Sequence, residues 1–273
     1  MTTPARATVA IIGAGVMGET LLSGLLRAGT PAADLLVCEK RAERAAELTE
    51  RYAVTVTAHT GDVASAGTVA LVVKPQDMAE VLADLAPHLG PDHLLVSLAA
   101  GITTEFMEAR IPSGVAVVRV MPNTPALVDE GMAAISAGTH CDDSHLERAE
   151  ALLRATGRVV RVPEKQQDAV TAISGSGPAY LFFVVEAMIE AGVHLGLPRT
   201  TATELVVQTV VGSAKLLRET GDHPTVLRER VTSPGGTTAA AIRELEDHKV
   251  RAAFITAMEA ARDRSRALAS GAE

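Results

Sequence analysis

The stretch Thr8-Val9-Ala10-Ile11-Ile12-Gly13-Ala14-Gly15-Val16-Met17-Gly18-Glu19 decides how the chain is read. A short β-branched strand runs straight into G-x-G-x-x-G, and a helical pattern continues from Glu19 to Ala28. In that setting each glycine has a physical task. Gly13 permits a tight turn, Gly15 lets the backbone approach a pyrophosphate, and Gly18 lets helix and strand pack closely. The pyrophosphate would rest on the amide groups of the helix N-terminus. A purely structural turn or a nucleoside-binding methyltransferase shares the bare motif, but its place at the head of a series of strand–helix units favours a dinucleotide.

That series continues through Leu35–Glu39, Val54–Thr57, Thr68–Val73, Leu94–Leu98, Val115–Met121, Met132–Ser136 and Arg158–Val162 as strands. Amphipathic stretches alternate with them at Arg41–Arg51, Gln76–Ala86 and from Ser144, where Ser144 and Glu147 have the spacing of a capping box. After Pro163 the β-branched alternation stops and long helical patterns take over, punctuated at Gly175–Pro178, Leu197–Pro198, Gly221–Pro224 and Pro234–Gly236. The expected fold class is α/β: an N-terminal Rossmann-type dinucleotide-binding domain over residues 1–165, then an all-α domain over residues 166–273. The helix from Pro178 is apolar around its whole axis (Tyr180 to Val193), and the next, Thr200–Leu217, is similar. Helices of that kind must be buried all round, which implies a second subunit covering them, with cover by the first domain as the alternative.

Composition excludes several classes. The 273 residues carry 25 Lys and Arg against 33 Asp and Glu, a net charge of −8, and there is no Trp. A phosphate-tracking surface or a base-stacking platform is therefore not expected, so nucleic acid is a poor partner. Cys38 and Cys141 have neither the number nor the spacing of a disulfide framework or zinc site, which fits a reducing cytoplasm. No signal peptide is read at Met1–Val9, and the longest uncharged run, between Asp168 and Glu186, is broken by Gly175, Gly177 and Pro178. No membrane is implied. His140 and His145 do not share a helix face and read as solvated, so no metal is expected.

Other candidate site residues fall at strand ends, where ligands bind in doubly wound sheets. Glu39 ends the second strand and could accept from a ribose hydroxyl while repelling a 2′-phosphate, whereas the adjacent Lys40 and Arg41 would attract that phosphate, unless they are a solvated helix start. Val72-Val73-Lys74-Pro75 places a lysine near phosphate or ribose. Leu98-Ala99-Ala100 offers small side chains for a flat ring to pack on, and Met121–Pro125 is a rigid turn around Asn123. The most specific segment is Ser233-Pro234-Gly235-Gly236-Thr237-Thr238 before a helix, a concave row of backbone donors suited to a carboxylate, with an ordinary capped turn as the alternative.

That loop, with Ala240, Ile242, Leu245 and Glu246 after it, resembles the signature of pyrroline-5-carboxylate reductases. Ser174-Gly175-Ser176-Gly177-Pro178-Ala179-Tyr180, Val73-Lys74-Pro75 and the Gly13–Gly18 fingerprint match the same family in the same order, over about residues 7–268. The resemblance implies reduction of Δ1-pyrroline-5-carboxylate to L-proline by NADPH or NADH, the last step of proline biosynthesis. It also implies a homodimer formed through the helical domain, and assembly of five dimers into a decamer. It places Ile12, Gly13, Ala14, Gly15, Val16, Met17, Gly18, Val72, Val73, Lys74, Pro75, Leu98, Ala99 and Ala100 on the dinucleotide. Ser233, Gly235, Gly236, Thr237 and Thr238 fall on the substrate. Where some relatives have a serine after the second strand, this chain has Glu39 and Lys40, and where some have Asn before the loop it has Arg230, so the choice between NADPH and NADH stays open.

No Ser/His/Asp set, Cys nucleophile or paired carboxylate stands out. The chemistry required is modest, because a protonated imine is already electrophilic and the cofactor brings the hydride. Thr238 is the candidate hydroxyl for the ring nitrogen, with water as the other possible proton donor. Alternatives are another imine or β-hydroxyacid reductase on the same plan, although the lysine base expected of the latter is missing from Ser174–Tyr180, or a non-catalytic dinucleotide sensor.

Overall fold

The computed structural model describes residues 9–269, so Thr8, expected to open the first strand, lies outside the described residues. Eight strands form one sheet: β1 Val9–Ile12, β2 Leu35–Cys38, β3 Thr55–Thr57, β4 Thr68–Leu71, β5 Leu94–Ser97, β6 Ala116–Met121, β7 Gly131–Ala137 and β8 Gly157–Arg161. Their order is β3-β2-β1-β4-β5-β6-β7-β8. All neighbours are parallel except β6 and β7, which pair antiparallel with Met121 opposite Ala134. The order reverses direction between β1 and β4, the point where such sheets open a ligand crevice at their carboxyl edge. Each expected strand forms, with small shifts at the ends.

The central strands β2, β4 and β5 are buried along their whole length, which is why they read as continuous apolar runs and not as alternating ones. Side chains alternate between two cores. Ile11, Val37, Ala70 and Val96 pack with Leu21, Leu22 and Leu25 of helix α1 (Val16–Arg27) and Leu48 of α2 (Ala42–Tyr52). Ala10, Ile12, Leu36, Val69 and Leu71 pack on the other face with Met78, Val81, Leu82 and Leu85 of α3 (Met78–Leu85) and Met107 of α4 (Thr104–Glu108).

Helix α5 (Asp143–Arg154) starts earlier than Ser144. Its cap is Asp142, whose Oδ1 accepts the His145 N–H at 3.0 Å and the Ser144 hydroxyl at 2.7 Å, while the His145 ring accepts the Asp142 N–H. Asp142 precedes Ser144 and a carboxylate is the stronger acceptor, so the expected Ser144–Glu147 box does not form. The His145 ring is thereby part of the cap, not a solvated side chain.

The chain divides into two compact units, residues 1–175 with 261–273, and residues 176–260. The first thus runs past Lys165 because its exit segment is anchored there. Glu164 accepts from the Thr104 N–H (2.8 Å), its hydroxyl (2.5 Å) and buried Arg119 (3.2 Å), and fully buried Gln167 donates to Ser136 at 2.8 Å. Helix α6 (Gln167–Val170) leads into a π-helical turn, Thr171–Gly175. The second unit consists of α7 (Gly177–His194), α8 (Arg199–Thr220), α9 (Pro224–Arg230), α10 (Thr237–Asp247) and the first part of α11 (Val250–Ala269). The end of α11 belongs to the first unit, where Ser265 donates to Asp168 at 2.7 Å.

No residue of α7 is buried within the single chain: Phe182 is 65% and Phe183 73% exposed. Leu205, Val207, Val211 and Leu216 of α8 are exposed as well. The run Glu164–His194 is long and apolar enough, by length and composition alone, to cross a membrane.

Candidate active site

The fingerprint forms the expected strand–turn–helix. Gly13 adopts φ +92° against the Val72 carbonyl, and Gly18 packs on the Gly13 carbonyl, so a side chain at either position would collide with backbone. Gly15 is different. A Cβ there would meet nothing within 4 Å, and Gly15 is the N-cap of α1 without any side-chain cap. The first amides of α1 therefore face open space, as a pyrophosphate requires, and the residues present fit a dinucleotide. Val16 is exposed, Met17 half-buried and Ala14 buried.

One cleft at the carboxyl edge collects Ile12, Gly13, Glu39, Lys40 and Val73 with Cys38, Thr60, Asp77, Glu80 and Val81. Val72 lies beside it, its N–H donating to the Ile12 carbonyl at 2.8 Å. Lys74 and Pro75 are exposed at the turn that opens α3. A second hollow gathers Met17 and Leu98 with Pro122, Asn123, Ala126 and Met132. Ala99 is buried and Ala100 exposed on the loop after β5. Thr60, Asp77 and Glu80 were not marked in the sequence, because each is polar without a motif and reaches the cleft only through the fold.

Two charge networks set this edge. Glu39, 8% exposed, accepts from the Arg41 N–H at 2.9 Å and the Arg41 guanidinium at 3.0 and 3.1 Å. Burial alone would raise its carboxyl pKa, but the Arg41 bonds and the nearby Ala14 N–H bring it below the ordinary value. Behind the loop, Arg44 donates to the Ala14 carbonyl at 3.2 Å and pairs with Glu19, which also accepts from Tyr52 (2.8 Å) and Arg51 (2.9 Å). Here too burial opposes ionisation, and Tyr52 and the two arginines overcome it.

In the second unit Gly235 adopts φ +69°, Gly236 is the N-cap of α10, and no side chain caps that helix. Gly236 closes on Ser233, its N–H donating to the Ser233 carbonyl at 3.0 Å. The hydroxyls of Ser233, Thr237 and half-buried Thr238 have no partner among the described residues. By contrast α4, α5 and α9 are capped by the side chains of Thr103, Asp142 and His223. The helix is thus not closed by an ordinary capped turn. Its first amides carry the positive end of its dipole, and the hydroxyl-bearing residues Ser233, Thr237 and Thr238 flank that end along the chain. No group of three or more His, Cys, Asp or Glu side chains suited to a metal ion occurs among the described residues.

A reductase from Corynebacterium melassecola, named pyrroline-5-carboxylate reductase, is 46% identical over 265 residues, 96% of this chain and 98% of its own. The chain belongs to the pyrroline-5-carboxylate reductase family. The Mycobacterium tuberculosis reductase is 45% identical over 96% of this chain and 97% of its own. Residues 164–268 match the family model described as pyrroline-5-carboxylate reductase dimerisation, and residues 8–101 one described as NADP oxidoreductase, coenzyme F420-dependent. Among solved structures, the Coxiella burnetii reductase superposes with TM-score 0.92 at 36% identity, covering 97% of this chain and 99% of that one. The Plasmodium falciparum enzyme, solved with NADP bound, gives 0.85 at 28% identity, covering 97% and 98%.

The fold expected from the sequence, a Rossmann-type domain followed by helices, is that of this reductase family, and the protein is an NAD(P)H-dependent oxidoreductase. Neither the β-hydroxyacid alternative nor the non-catalytic sensor is favoured. The match to a dimerisation segment supports homo-oligomerisation, and it covers the apolar Glu164–His194 run.

Proposed function

We propose that this reductase converts Δ1-pyrroline-5-carboxylate to L-proline with either NADPH or NADH, as the last step of proline biosynthesis, and that Ser233–Thr238 is its substrate cradle. The observation that carries the cradle is the open N-terminus of α10, capped by Gly236 and flanked in sequence by Ser233, Thr237 and Thr238, whose hydroxyls have no partner among the described residues. A carboxylate there accepts from the amides after Gly235 and lies at the positive end of an eleven-residue helix dipole. Ser233 and Thr237 add donors, and the Thr238 hydroxyl is the polar partner of the ring nitrogen.

The bound nicotinamide supplies the hydride. Hydride addition to the carbon of the protonated imine would turn C=NH⁺ into CH–NH, with the nitrogen keeping its proton. What remains for the chain is orientation, since a protonated imine needs no stronger acid. Thr238 Oγ1 steadies the nitrogen, and the product amine takes up its second proton from water. The fingerprint residues Ile12–Gly18, with Glu39 and Lys40 at the ribose end, Val72–Pro75 and Leu98–Ala100, would hold the dinucleotide. Residues 1–165 serve as the cofactor-binding part and 166–273 as the substrate-binding and dimerising part. A homodimer formed through α7 and α8, assembled into a decamer of five dimers in the cytoplasm without nucleic acid, membrane or metal, completes the reading.

The test compares pyrroline-5-carboxylate with 1-pyrroline, which lacks the carboxylate, in the NAD(P)H oxidation assay. Each bond to a charged partner is worth roughly 1.5–3 kcal/mol, so kcat/KM should fall at least about tenfold for 1-pyrroline. Equal kcat/KM for the two imines would remove the cradle.

A further inference from the structure

The chain passes between its two units twice, at Gly175–Ser176 and at Ala260–Ala261, and the two passages differ. The second lies inside α11, which runs unbroken from Val250 to Ala269. The first is a break. An α-helical ladder would give the Ser174 carbonyl a donor at position 178, but Pro178 has no N–H and its ring crowds that carbonyl. The next amide, that of Ala179, donates to the Ser176 carbonyl at 3.0 Å. The backbone opens there into the π turn Thr171–Gly175, and α7 restarts after Ser176 without a side-chain cap. The Asn123 side-chain amide supplies the donor that the proline lacks, at 3.1 Å from the Ser174 carbonyl. Gly175 lies against the Met121 side chain at the end of β6, whereas a Cβ on Gly177 would meet nothing within 4 Å. The near side of the break is thus packed and bonded to the sheet, and the far side is open.

Asp168 ties the two passages to each other. It lies in α6, just before the π turn, and its Oδ1 accepts from the Ser265 hydroxyl at 2.7 Å while its Oδ2 stands 3.8 Å from the Arg266 guanidinium. Ser265 is buried and follows Ala261 by about one helical turn. We propose that Asn123 and Asp168 are positioning residues for hydride transfer: from the first unit they grip both passages, so that the helical unit turns about Ser176–Pro178 with α11 as the arm that limits the turn. The inference rests on the proposed function, in which the cofactor belongs to the first unit and the imine to the Ser233–Thr238 loop of the second. Reacting atoms must come within about 3–3.5 Å of each other, and a misplacement of about 1 Å costs up to about a hundredfold in rate. A loose passage would therefore slow the reaction without touching either ligand.

The experiment is a single-turnover measurement on full-length protein saturated with NADPH and mixed with saturating pyrroline-5-carboxylate, read by the loss of nicotinamide fluorescence, beside an equilibrium titration with NADPH alone. Asp168→Ala and Asn123→Ala should each slow the step about tenfold or more, while the Kd for NADPH changes less than about threefold. Cofactor deuterated at both C4 positions should react measurably slower in each variant, because the lost time lies in the hydride step. Asp168→Asn keeps the acceptor for Ser265 and should retain most of the rate. Melting temperatures show that each variant is folded, and Ser265→Ala, which removes one bond to Asp168, gives the same test with a smaller lesion and should be slowed in the same sense. Folded variants that reduce the imine at the wild-type rate, a slowed step without a deuterium effect, or a loss matched by weaker NADPH binding would overturn the proposal. Wild-type protein that binds NADPH and leaves the imine unreduced would instead remove the proposed function, a result that appears before any variant is compared.

Discussion

The side-chain amide of Asn123 donates to the Ser174 carbonyl at 3.1 Å, while its oxygen accepts the Met132 N–H at 2.8 Å. One side chain thus ties the turn after β6 to the start of β7 and to the π turn that opens the Ser174–Tyr180 signature. Asn123→Ala should cost about 1 kcal/mol for each bond lost. Asn123→Asp keeps the Met132 bond but, when ionised, sets a charge against the Ser174 carbonyl. Protonated, the same acid can donate. Its deficit should therefore shrink as pH falls through the titration of the new carboxyl, which urea unfolding at several pH values measures. A deficit that stays constant with pH would show that the Ser174 bond contributes nothing.

Thr238→Ala should slow turnover of pyrroline-5-carboxylate by roughly ten- to a hundredfold, the kinetic equivalent of one bond to a charged partner. Because the Thr238 hydroxyl has no partner among the described residues and does not cap α10, the melting temperature and cofactor affinity should stay as in wild type. A lowered melting temperature with unchanged kcat/KM would instead make the threonine a structural residue.

The first unit was legible because its central strands are buried on both faces and so appear as unbroken apolar runs between turn signals, Leu35–Cys38 and Leu94–Ser97 being the clearest. The fingerprint glycines were legible because each is required by backbone, not by side chains. What escaped depends on distance along the chain. Nothing near Lys40 announces Glu80, forty residues on, and nothing near Ser265 announces Asp168. The cap of α5 was misplaced for a local reason: Asp142 and Ser144 are both good caps, and the partner, His145, is not the glutamate the pattern seeks. In the Ser233–Thr238 loop the residues were readable, but that their hydroxyls have no partner among the described residues became visible only in the structure.

Phe183 and Phe182 on α7 stand exposed in the single chain, in the segment that matches a dimerisation family. Phe183→Asp should shift the protein to smaller species in multi-angle light scattering and lower its melting temperature, since a charge buried at an apolar interface is costly. Wild-type protein that is monomeric and well folded at micromolar concentration would contradict this.

The Asp142 carboxyl has a pKa of about 2, held down first by the Ser144 hydroxyl and then by the His145 N–H and ring. A depressed folded pKa adds stability that is present above the unfolded value, 3.8, and is lost as pH falls through about 2. Asp142→Ala should therefore melt below wild type at neutral pH, and this part of the difference should fade between those two values. Thermal melts across that window check it, and a gap unchanged down to the lower value would show that the cap does not depend on the carboxylate charge.

The central claim is tested most directly by incubating the purified protein with pyrroline-5-carboxylate and NADPH or NADH, and counting cofactor oxidised against L-proline formed on a chiral column. One L-proline should appear for each cofactor consumed, with either cofactor, and none without the imine. Tight cofactor binding with no proline formed would contradict the account.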